Sequence, residues 1–404
     1  MLPFSIEHFI AKHITSRVTS LFAEDLATNH QQLAAEIDNK SILVIGGAGT
    51  IGSSFVKAAL QFKPKRLFVL DINENGLTEL TRDLRSSIGY HIPEDYKTYP
   101  IDFGDPVFTK LLRREGPFDI VANFAAHKHV RSEKDHYSIE AMIENNVLRA
   151  KNLLDLLTEQ KPAHFFCVST DKAANPVNVM GASKKLMEEV ILAYSAMIPI
   201  TTARFANVAF SNGSLLAGFL ERIMKRQPLS APQDVKRYFV SPQESGQLCL
   251  LACILGKSGE IFFPKLGEEQ MLTFSEIATA FLEELGYKPD FCTSEQEAKE
   301  KAAALTASTT QYPVYYFGSD TSGEKSFEEF YTEGEAIALD RFSQLGVIEN
   351  APKRMLADID MMFSKLRQLF EQEELDKSAV VQLLQQFIPN FEHIETGKSL
   401  DQKM

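Results

Sequence analysis

Side chains that supply an acid, a base and a hydroxyl group stand next to one another near residue 170. Thr170, Asp171 and Lys172 begin two residues after the apolar run 164–168. A carboxyl group beside an amine can give and take protons in one reaction when burial and neighbouring charges shift their pKa values. These three residues, the Thr-Asp-Lys trio, therefore indicate proton-transfer chemistry. A surface ion pair in a loop is the alternative.

Regularly spaced glycines form a second candidate site. Gly46, Gly49 and Gly52 make a G-x-x-G-x-x-G turn after the apolar run 41–45. Where side chains are absent, the backbone can approach a pyrophosphate at the N-terminus of the following helix. Asp71 ends the next apolar run, where a carboxylate can accept hydrogen bonds from ribose hydroxyls and would repel a 2′-phosphate. The pattern predicts a site for NAD rather than NADP.

Further residues are assigned to this cofactor site by position. Thr50 and Ile51 lie inside the glycine turn, and Ala125 follows the apolar run 118–124. Asp102 follows another short segment and is predicted to bind the adenine amino group.

Strands and helices alternate around both candidate sites. Predicted strands are 41–45, 66–70, 118–124, 164–168 and 201–205, and predicted helices are 53–62, 77–88, 139–157 and 180–197. This alternation predicts an α/β fold with a Rossmann-type doubly wound parallel sheet. Such sheets bind ligands at the carboxyl ends of their strands, where both candidate sites fall.

The alternation fades beyond about residue 206, which predicts a smaller C-terminal substrate domain. The predicted divisions are a helical extension (1–40), an NAD-binding Rossmann domain (41–205), a mainly substrate-binding domain (206–350) and a helical C-terminal extension with a polar tail (351–404). Apolar residues at helical spacing in 1–40 predict amphipathic helices that pack on the body, with membrane contact as the alternative.

The composition excludes several classes of function. With 42 basic and 54 acidic residues, the chain has a net charge of -12 and no overall basic surface for nucleic acid. Its 4 cysteines lack the spacing of a metal site, so we predict no metal and a reduced, cytoplasmic protein. No run reaches the roughly 18 apolar residues of a membrane span, so no membrane insertion is predicted.

Six short motifs occur between residues 40 and 265. They are Gly-Gly-Ala-Gly-Thr-Ile-Gly (46–52), Asn-Phe-Ala-Ala-His-Lys-His-Val (123–130), Ser-Thr-Asp-Lys-Ala-Ala-Asn-Pro (169–176), Met-Gly-Ala-Ser-Lys (180–184), Arg-Phe-Ala-Asn-Val (204–208) and Arg-Tyr-Phe-Val (237–240). In this order they resemble the UDP-N-acetylglucosamine 4,6-dehydratase family of extended short-chain dehydrogenases/reductases. The resemblance implies an NAD-dependent lyase of polysaccharide biosynthesis that acts on a UDP-sugar and forms a homo-oligomer.

The implied reaction is an internal transfer of hydride. Hydride leaves sugar C4, water is eliminated across C5 and C6, and the hydride returns to C6. Lys172, if neutral, removes the C5 proton that the C4 ketone has made acidic, and Asp171, if protonated, donates to the departing C6 hydroxyl. By the same resemblance, Thr170 hydrogen-bonds the sugar O4 and Lys184 binds the nicotinamide ribose.

One position departs from the commoner Tyr-x-x-x-Lys pattern of the superfamily. Met180 stands at the tyrosine position, one helical turn before Lys184. A thioether takes no proton, so the base for the C4 hydroxyl is Thr170, Asp171, Lys172 or a water. Methionine here resembles the family members that retain configuration at C5, and we predict retention. A chain that has lost activity is the alternative.

The predicted substrate site begins at a His-Lys-His run that follows the strand ending at 124. Lys128 is the preferred sugar-phosphate ligand, with His129 beside it. The residues that the resemblance adds are Asn207, Ser211 and Arg237, the last able to grip a phosphate with two hydrogen bonds. Further candidates are Glu324 and Lys325, in a Gly-Glu-Lys segment, and Asn146, which supports the site backbone or lies on a helix surface.

Two other functions compete with the dehydratase. A nucleotide-sugar 4-epimerase shares the fold and NAD but needs no acid for the C6 hydroxyl, so the Thr-Asp-Lys trio favours dehydration. A non-catalytic sensor of NAD or a nucleotide sugar would account for Met180.

Overall fold

A nine-stranded sheet forms the centre of the computed structural model, which describes residues 4–320, 322–373 and 375–397. From one edge to the other its strands are β15 (Ala336–Ala338), β16 (Leu345–Glu349), β11 (Glu260–Pro264), β6 (Ile200–Ala203), β5 (His164–Val168), β4 (Ile120–Asn123), β1 (Ser41–Ile45), β2 (Arg66–Leu70) and β3 (Asp95–Tyr99). The strands from β11 to β3 run parallel, and β16 lies antiparallel to both of its neighbours. The predicted α/β class and doubly wound parallel sheet are confirmed.

Helices cover this sheet, and its inner strands are apolar for that reason. Every residue of β1 is buried, as expected for a strand covered on both faces. The covering helices are α4 (Thr50–Ala59), α5 (Glu74–Ser86), α6 (Pro106–Glu115), α7 (His136–Ile143), α8 (Arg149–Glu159), α9 (Val179–Ala193) and α11 (Pro242–Leu255). A π-helical turn, Glu144–Leu148, joins α7 to α8 without a break.

A smaller parallel sheet lies apart from the first and has its own apolar core. Its strands, in order, are β13 (Lys288–Phe291), β14 (Gln311–Phe317) and β8 (Leu229–Pro232). The accompanying elements are α10 (Leu215–Met224), α12 (Phe274–Glu284), α13 (Glu295–Ala303), the pair β7 (Asn207–Val208) with β10 (Phe239–Val240), and the pair β9 (Lys236–Arg237) with β12 (Leu272–Thr273). The core contains Phe281, together with Phe9 and Ile10 from the N-terminal end.

The N-terminal residues pack on the body, as the first of the two alternatives predicted. They form α1 (Ile6–Phe9), a π-helical turn (Ile10–Ile14), α2 (Ala23–Thr28) and α3 (His30–Ile37). The guanidinium of Arg17 donates to both carboxylate oxygens of Glu244, which is 2% exposed. The same carboxylate accepts from the backbone N–H of Leu21, so this one buried group holds the extension against α11.

The segment 206–350 contributes to both sheets, because β11, β15 and β16 return to the large one. The predicted division at residue 205 stays a prediction. After β16 come α14 (Leu356–Phe370) and α15 (Lys377–Phe387), and residues 388–397 continue without a helix or strand.

Candidate active site

The glycine turn joins β1 to α4 and leaves no room for side chains at two of its glycines. Gly46 has a φ of +73°, and a Cβ there would lie 2.4 Å from the backbone nitrogen of Ala125. At Gly52 a Cβ would lie 2.3 Å from the carbonyl oxygen of Gly46. At Gly49, which precedes α4, a Cβ would meet only that oxygen, at 3.4 Å. The N-terminus of α4 is therefore open, as a bound pyrophosphate requires.

A cavity of about 470 Å³ lies beside this turn. Every residue predicted to bind the cofactor lines it except Lys184, and these residues are Gly46, Gly49, Thr50, Ile51, Gly52, Asp71, Asp102 and Ala125. The close backbone, the helix N-terminus and the acidic strand end fit a dinucleotide.

The two aspartates that line the cavity also hold the protein together. Asp71 follows β2 and accepts hydrogen bonds from the backbone N–H groups of Ala48 and Asn73, both at 2.9 Å. Asp102 forms an ion pair with Arg149, which also lines the cavity. Asp71 thus lies against the glycine turn, where an adenosine ribose is expected, while the adenine contact of Asp102 stays a prediction.

The Thr-Asp-Lys trio begins two residues after β5, at the edge of the sheet that carries the glycine turn. Oδ1 of Asp171 accepts hydrogen bonds from the hydroxyl of Thr170 at 2.7 Å and from the ammonium of Lys172 at 3.0 Å. It also accepts from the backbone N–H of Lys172 at 2.9 Å. Asp171 is 3% exposed. Asp171 is therefore buried and Lys172 half-buried, unlike the surface ion pair that was the alternative.

A buried carboxylate that the sequence analysis did not select completes this group. Oε1 of Glu328 lies 3.6 Å from Nζ of Lys172 and 3.8 Å from a terminal nitrogen of Arg237. Glu328 is 5% exposed. The nearby Gly-Glu-Lys segment was the only signal in the sequence, and it pointed to Glu324 and Lys325 instead.

The charges around Lys172 decide its protonation. Burial alone would lower the pKa of Lys172, but the carboxylates of Asp171 and Glu328 outweigh burial and raise it. Burial also raises the pKa of Glu328. Lys172 is therefore an ammonium ion in the free protein and must lose a proton before it can act as a base.

Lys184 and Met180 lie on the first turns of α9 and are buried. Nζ of Lys184 donates to the carbonyl oxygen of Val168 at 2.8 Å, and burial lowers the pKa of this lysine. Met180 is 3% exposed and belongs to the large apolar core. The structure thus places Lys184 beneath the end of β5, outside the lining of the cofactor cavity.

A second cavity, of about 560 Å³, adjoins the first at Lys128, which lines both. Nζ of Lys128 donates to the carbonyl oxygen of Asn212 at 2.8 Å, and burial lowers its pKa. His129 and Glu324 also line this cavity, together with Arg222 and the N-terminus of α10. A helix N-terminus and an arginine suit a phosphate, so this cavity fits the nucleotide part of a substrate.

The remaining substrate candidates lie outside the lining of both cavities. Asn207 begins β7, and Ser211 follows that strand. One terminal nitrogen of Arg237 donates to the backbone carbonyls of Lys236 and Lys325, so the guanidinium faces the protein rather than an open phosphate site. The predicted phosphate grip of Arg237 requires those bonds to be exchanged.

Asn146 lies in the π-helical turn and supports the chain around His127. Its carbonyl oxygen accepts from the backbone N–H of His127 at 2.8 Å, and its amide donates to the carbonyl of the same residue at 2.9 Å. The amide also donates to the hydroxyl of Ser183, at 3.0 Å. One buried side chain thus fixes the segment next to Lys128.

The sheet order, the glycine turn and the trio at the strand ends define an α/β protein with the fold of an extended short-chain dehydrogenase/reductase. Within this class, the chain belongs to the family described as polysaccharide biosynthesis protein, whose model matches residues 42–350.

Relatives carry several names. A protein of Methanocaldococcus jannaschii named as an uncharacterized membrane protein is 32% identical over 79% of this chain and 88% of its own length. The capsular polysaccharide biosynthesis protein CapD of Staphylococcus aureus is 32% identical. That match covers 58% of this chain and 39% of CapD. A UDP-glucose 4-epimerase of Rickettsia bellii is 30% identical over 56% of this chain and 66% of its own.

Solved structures share the fold at low sequence identity. Pen from Bacillus thuringiensis superposes with a TM-score of 0.62 at 21% identity, over 82% of this chain and 99% of Pen. DesIV, a dTDP-glucose 4,6-dehydratase from Streptomyces venezuelae solved with NAD bound, superposes with a TM-score of 0.54 at 19% identity. The match covers 81% of this chain and 97% of DesIV. Among the residues described for the present chain, no helix has the length and apolar composition needed to cross a membrane.

Proposed function

We propose that the chain is a UDP-N-acetylglucosamine 4,6-dehydratase, which uses NAD to form the UDP-4-keto-6-deoxy sugar with retention at C5. The observation that carries this proposal is the Thr-Asp-Lys trio, in which the hydroxyl of Thr170 and the amine of Lys172 both donate to one oxygen of the buried Asp171 carboxylate. A 4-epimerase needs no acid for a departing C6 hydroxyl, whereas this trio offers both an acid and a base.

The cofactor cavity and the glycine turn support NAD as the resident cofactor. Gly46, Gly49 and Gly52 would hold its pyrophosphate, and Asp71 its adenosine ribose. When bound, NAD accepts a hydride from sugar C4 and returns it to C6. Lys184, kept close to the end of β5 by its bond to Val168, would hold the nicotinamide ribose.

The trio can move the C4 proton without a tyrosine. Asp171 is ion-paired in the free protein, so it begins as a carboxylate that can accept the C4 proton through the hydroxyl of Thr170. Protonated in this way, Asp171 donates the same proton to the departing C6 hydroxyl, and water leaves. Met180 takes no part in this transfer.

Lys172 is the base in the second half of the reaction. Once C4 is a ketone, neutral Lys172 removes the C5 proton, and the ammonium returns a proton to C5 when hydride reaches C6. Because one amine works on one face of the sugar, the configuration at C5 is retained. Lys128, His129, Asn207, Ser211 and Arg237 are proposed to hold the nucleotide sugar.

The experiment is incubation of the purified chain with UDP-N-acetylglucosamine in deuterated water, with mass and proton NMR analysis of the nucleotide sugar. Loss of water with one deuterium at C5, and ring couplings that report retention, are the expected results. A sugar that keeps its C6 hydroxyl would overturn the proposal.

A 4-epimerase is the second candidate, because relatives in the family carry that name. It would give a product inverted at C4 with no loss of water. The same spectra distinguish the two reactions.

A further inference from the structure

Four charged side chains meet at the trio, two acidic and two basic. Asp171 and Glu328 are the carboxylates, and Lys172 and Arg237 are the cations. Oε1 of Glu328 lies 3.6 Å from the ammonium of Lys172, which also donates to Asp171, and Glu328 is 5% exposed. The proposed reaction gives a role to Asp171 and Lys172, but it leaves Glu328 without one.

The protein fixes the chain on both sides of Glu328. Arg237 donates from one terminal nitrogen to the backbone carbonyl of Lys325, before Glu328. Arg204, which is completely buried, donates to the carbonyl of Phe330, after Glu328, at 2.9 Å. The position of the Glu328 carboxylate is therefore set by buried guanidinium groups from two different strand ends, not by a loose loop.

We propose that Glu328 is the proton acceptor that makes Lys172 a base. This inference rests on the proposed dehydratase function. Glu328 does not touch the reacting atoms; it acts through Lys172 and is a positioning and proton-holding residue.

The protons balance around the cycle. At the start Asp171 and Glu328 are carboxylates and Lys172 is an ammonium ion. The C4 proton reaches Asp171 through Thr170, so the ammonium loses its nearest negative partner, and it passes one proton to Glu328. Neutral Lys172 then takes the C5 proton while Asp171 gives its own to the C6 hydroxyl. After Lys172 has returned a proton to C5, Glu328 returns the stored one, and the starting state is restored.

The surroundings of Glu328 make this exchange feasible. Burial raises the pKa of Glu328, and Asp171 adds to the rise, while the charges of Lys172, Arg237 and Lys325 oppose it. Once Asp171 has taken the C4 proton, one of the two carboxylates that raise the pKa of Lys172 is neutral, whereas burial still lowers the pKa of this lysine and raises that of Glu328. The two proton affinities then approach each other, so a proton can move between the side chains.

The first test measures, without any substrate, whether Lys172 affects the protonation of Glu328. In infrared pH titrations of the full chain, the protonated-carboxyl band of Glu328 is assigned by its loss in Glu328→Gln and its persistence in Glu329→Gln, a neighbour whose side chain is exposed. In Lys172→Met the band should persist to a pH higher by about one unit or more, because a facing cation is gone. An unchanged titration in Lys172→Met would overturn the inference, whether or not the chain is a dehydratase.

The second test measures kcat as a function of pH. Without Glu328, Lys172 must release its proton to solvent, so Glu328→Gln should lose about 10²- to 10⁴-fold in kcat at neutral pH and recover as the pH rises. Glu329→Gln should match the wild type. An equal loss at every pH would mean a structural role, and no loss would mean no role; either result overturns the inference. Failure of the wild type to release water would overturn the proposed function instead, and the infrared result would still decide the coupling.

Discussion

At the glycine turn, neighbouring positions differ in what a methyl group would meet. Gly46→Ala places a Cβ against the Ala125 backbone at a positive φ, whereas Gly49→Ala places one in ordinary contact with a single oxygen. We expect Gly46→Ala to lower the thermal midpoint by several degrees, because backbone must move. Gly49→Ala should keep the midpoint of the free protein and weaken NAD binding about tenfold or more, because the methyl group enters the space proposed for the pyrophosphate.

Thermal unfolding of both variants, with and without NAD, separates these effects. NAD should raise the midpoint of the wild type far more than that of Gly49→Ala. Equal midpoints for Gly46→Ala and the wild type would contradict the geometry of the turn.

The trio makes a separate prediction about chemistry. Asp171→Asn removes the group proposed to carry the C4 proton to the C6 hydroxyl, and we expect kcat to fall about 10²- to 10⁴-fold. Lys172→Ala should lose C5 exchange with deuterated water as well as turnover. Calorimetric titration should show NAD binding close to that of the wild type, since neither side chain lines the cofactor cavity. Full activity in both variants would remove the proposed mechanism.

Residues that belong to a local motif were selected from the sequence, whereas Glu328, which works through distant contacts, was not. The glycine turn and Asp71 each follow a strand, so their meeting in one cavity could be anticipated. Glu328 does not directly follow a strand. It is a candidate only because it contacts Lys172 and Arg237, which lie far away along the chain. No pattern of spacing could have indicated that contact.

Among elements, the buried strands were predicted best. The predicted bounds 41–45, 66–70 and 164–168 coincide with β1, β2 and β5. β3 was missed because it is Asp-Tyr-Lys-Thr-Tyr at the sheet edge, with no fully buried residue and no apolar run. The predicted helix 139–157 is α7 and α8, but the π-helical turn between them was not visible in the apolar spacing.

A buried ion network joins several elements around β5. Arg204 makes paired hydrogen bonds to Glu188 and to Glu335, each between 2.8 and 2.9 Å. Glu188 also accepts from the hydroxyl of Ser169, next to the trio, at 2.6 Å. The network therefore connects α9, the end of β6 and the segment after Glu328 to the residue that precedes the Thr-Asp-Lys trio.

We predict that Arg204→Met destabilises the fold by about 3–5 kcal/mol, because it leaves the carboxylate of Glu188 buried without its main partner. Urea unfolding at neutral pH measures the change. Arg113→Met is the matched control, since its ion pair with Glu159 is exposed and should contribute little. Similar midpoints for the two variants would show that the buried network does not stabilise the fold.

Over the whole molecule, the C-terminal residues cross the loop that follows the trio. The backbone N–H of Ile394 donates to the carbonyl of Val177 at 3.0 Å, and the carbonyl of Ile394 accepts from Gly323 at the same distance. A polar tail was predicted from composition here, but its path was not, because backbone hydrogen bonds in an irregular segment leave no periodic signal. Ile394 thus connects the segment before Glu328 to the loop that follows the trio.

The side chain of Glu133 connects the C-terminal segment to the start of α9. One of its oxygens accepts from the backbone N–H of Val179, the first residue of α9, at 2.7 Å. The other lies against His393 and 3.0 Å from the ammonium of Lys377. Burial alone would raise the pKa of Glu133, but these partners outweigh burial and lower it.

A lowered pKa means that Glu133 stabilises the fold as a carboxylate. Its contribution is complete above the unfolded pKa of about 4.3 and is lost as the pH falls toward the lower folded pKa. Glu133→Gln should therefore unfold at lower urea concentration than the wild type at pH 7, and the gap should close as the pH falls below about 4. Glu392→Gln, at an exposed position of the same segment, should follow the wild type throughout. A gap that stays constant with pH would show that Glu133 acts through its shape rather than its charge.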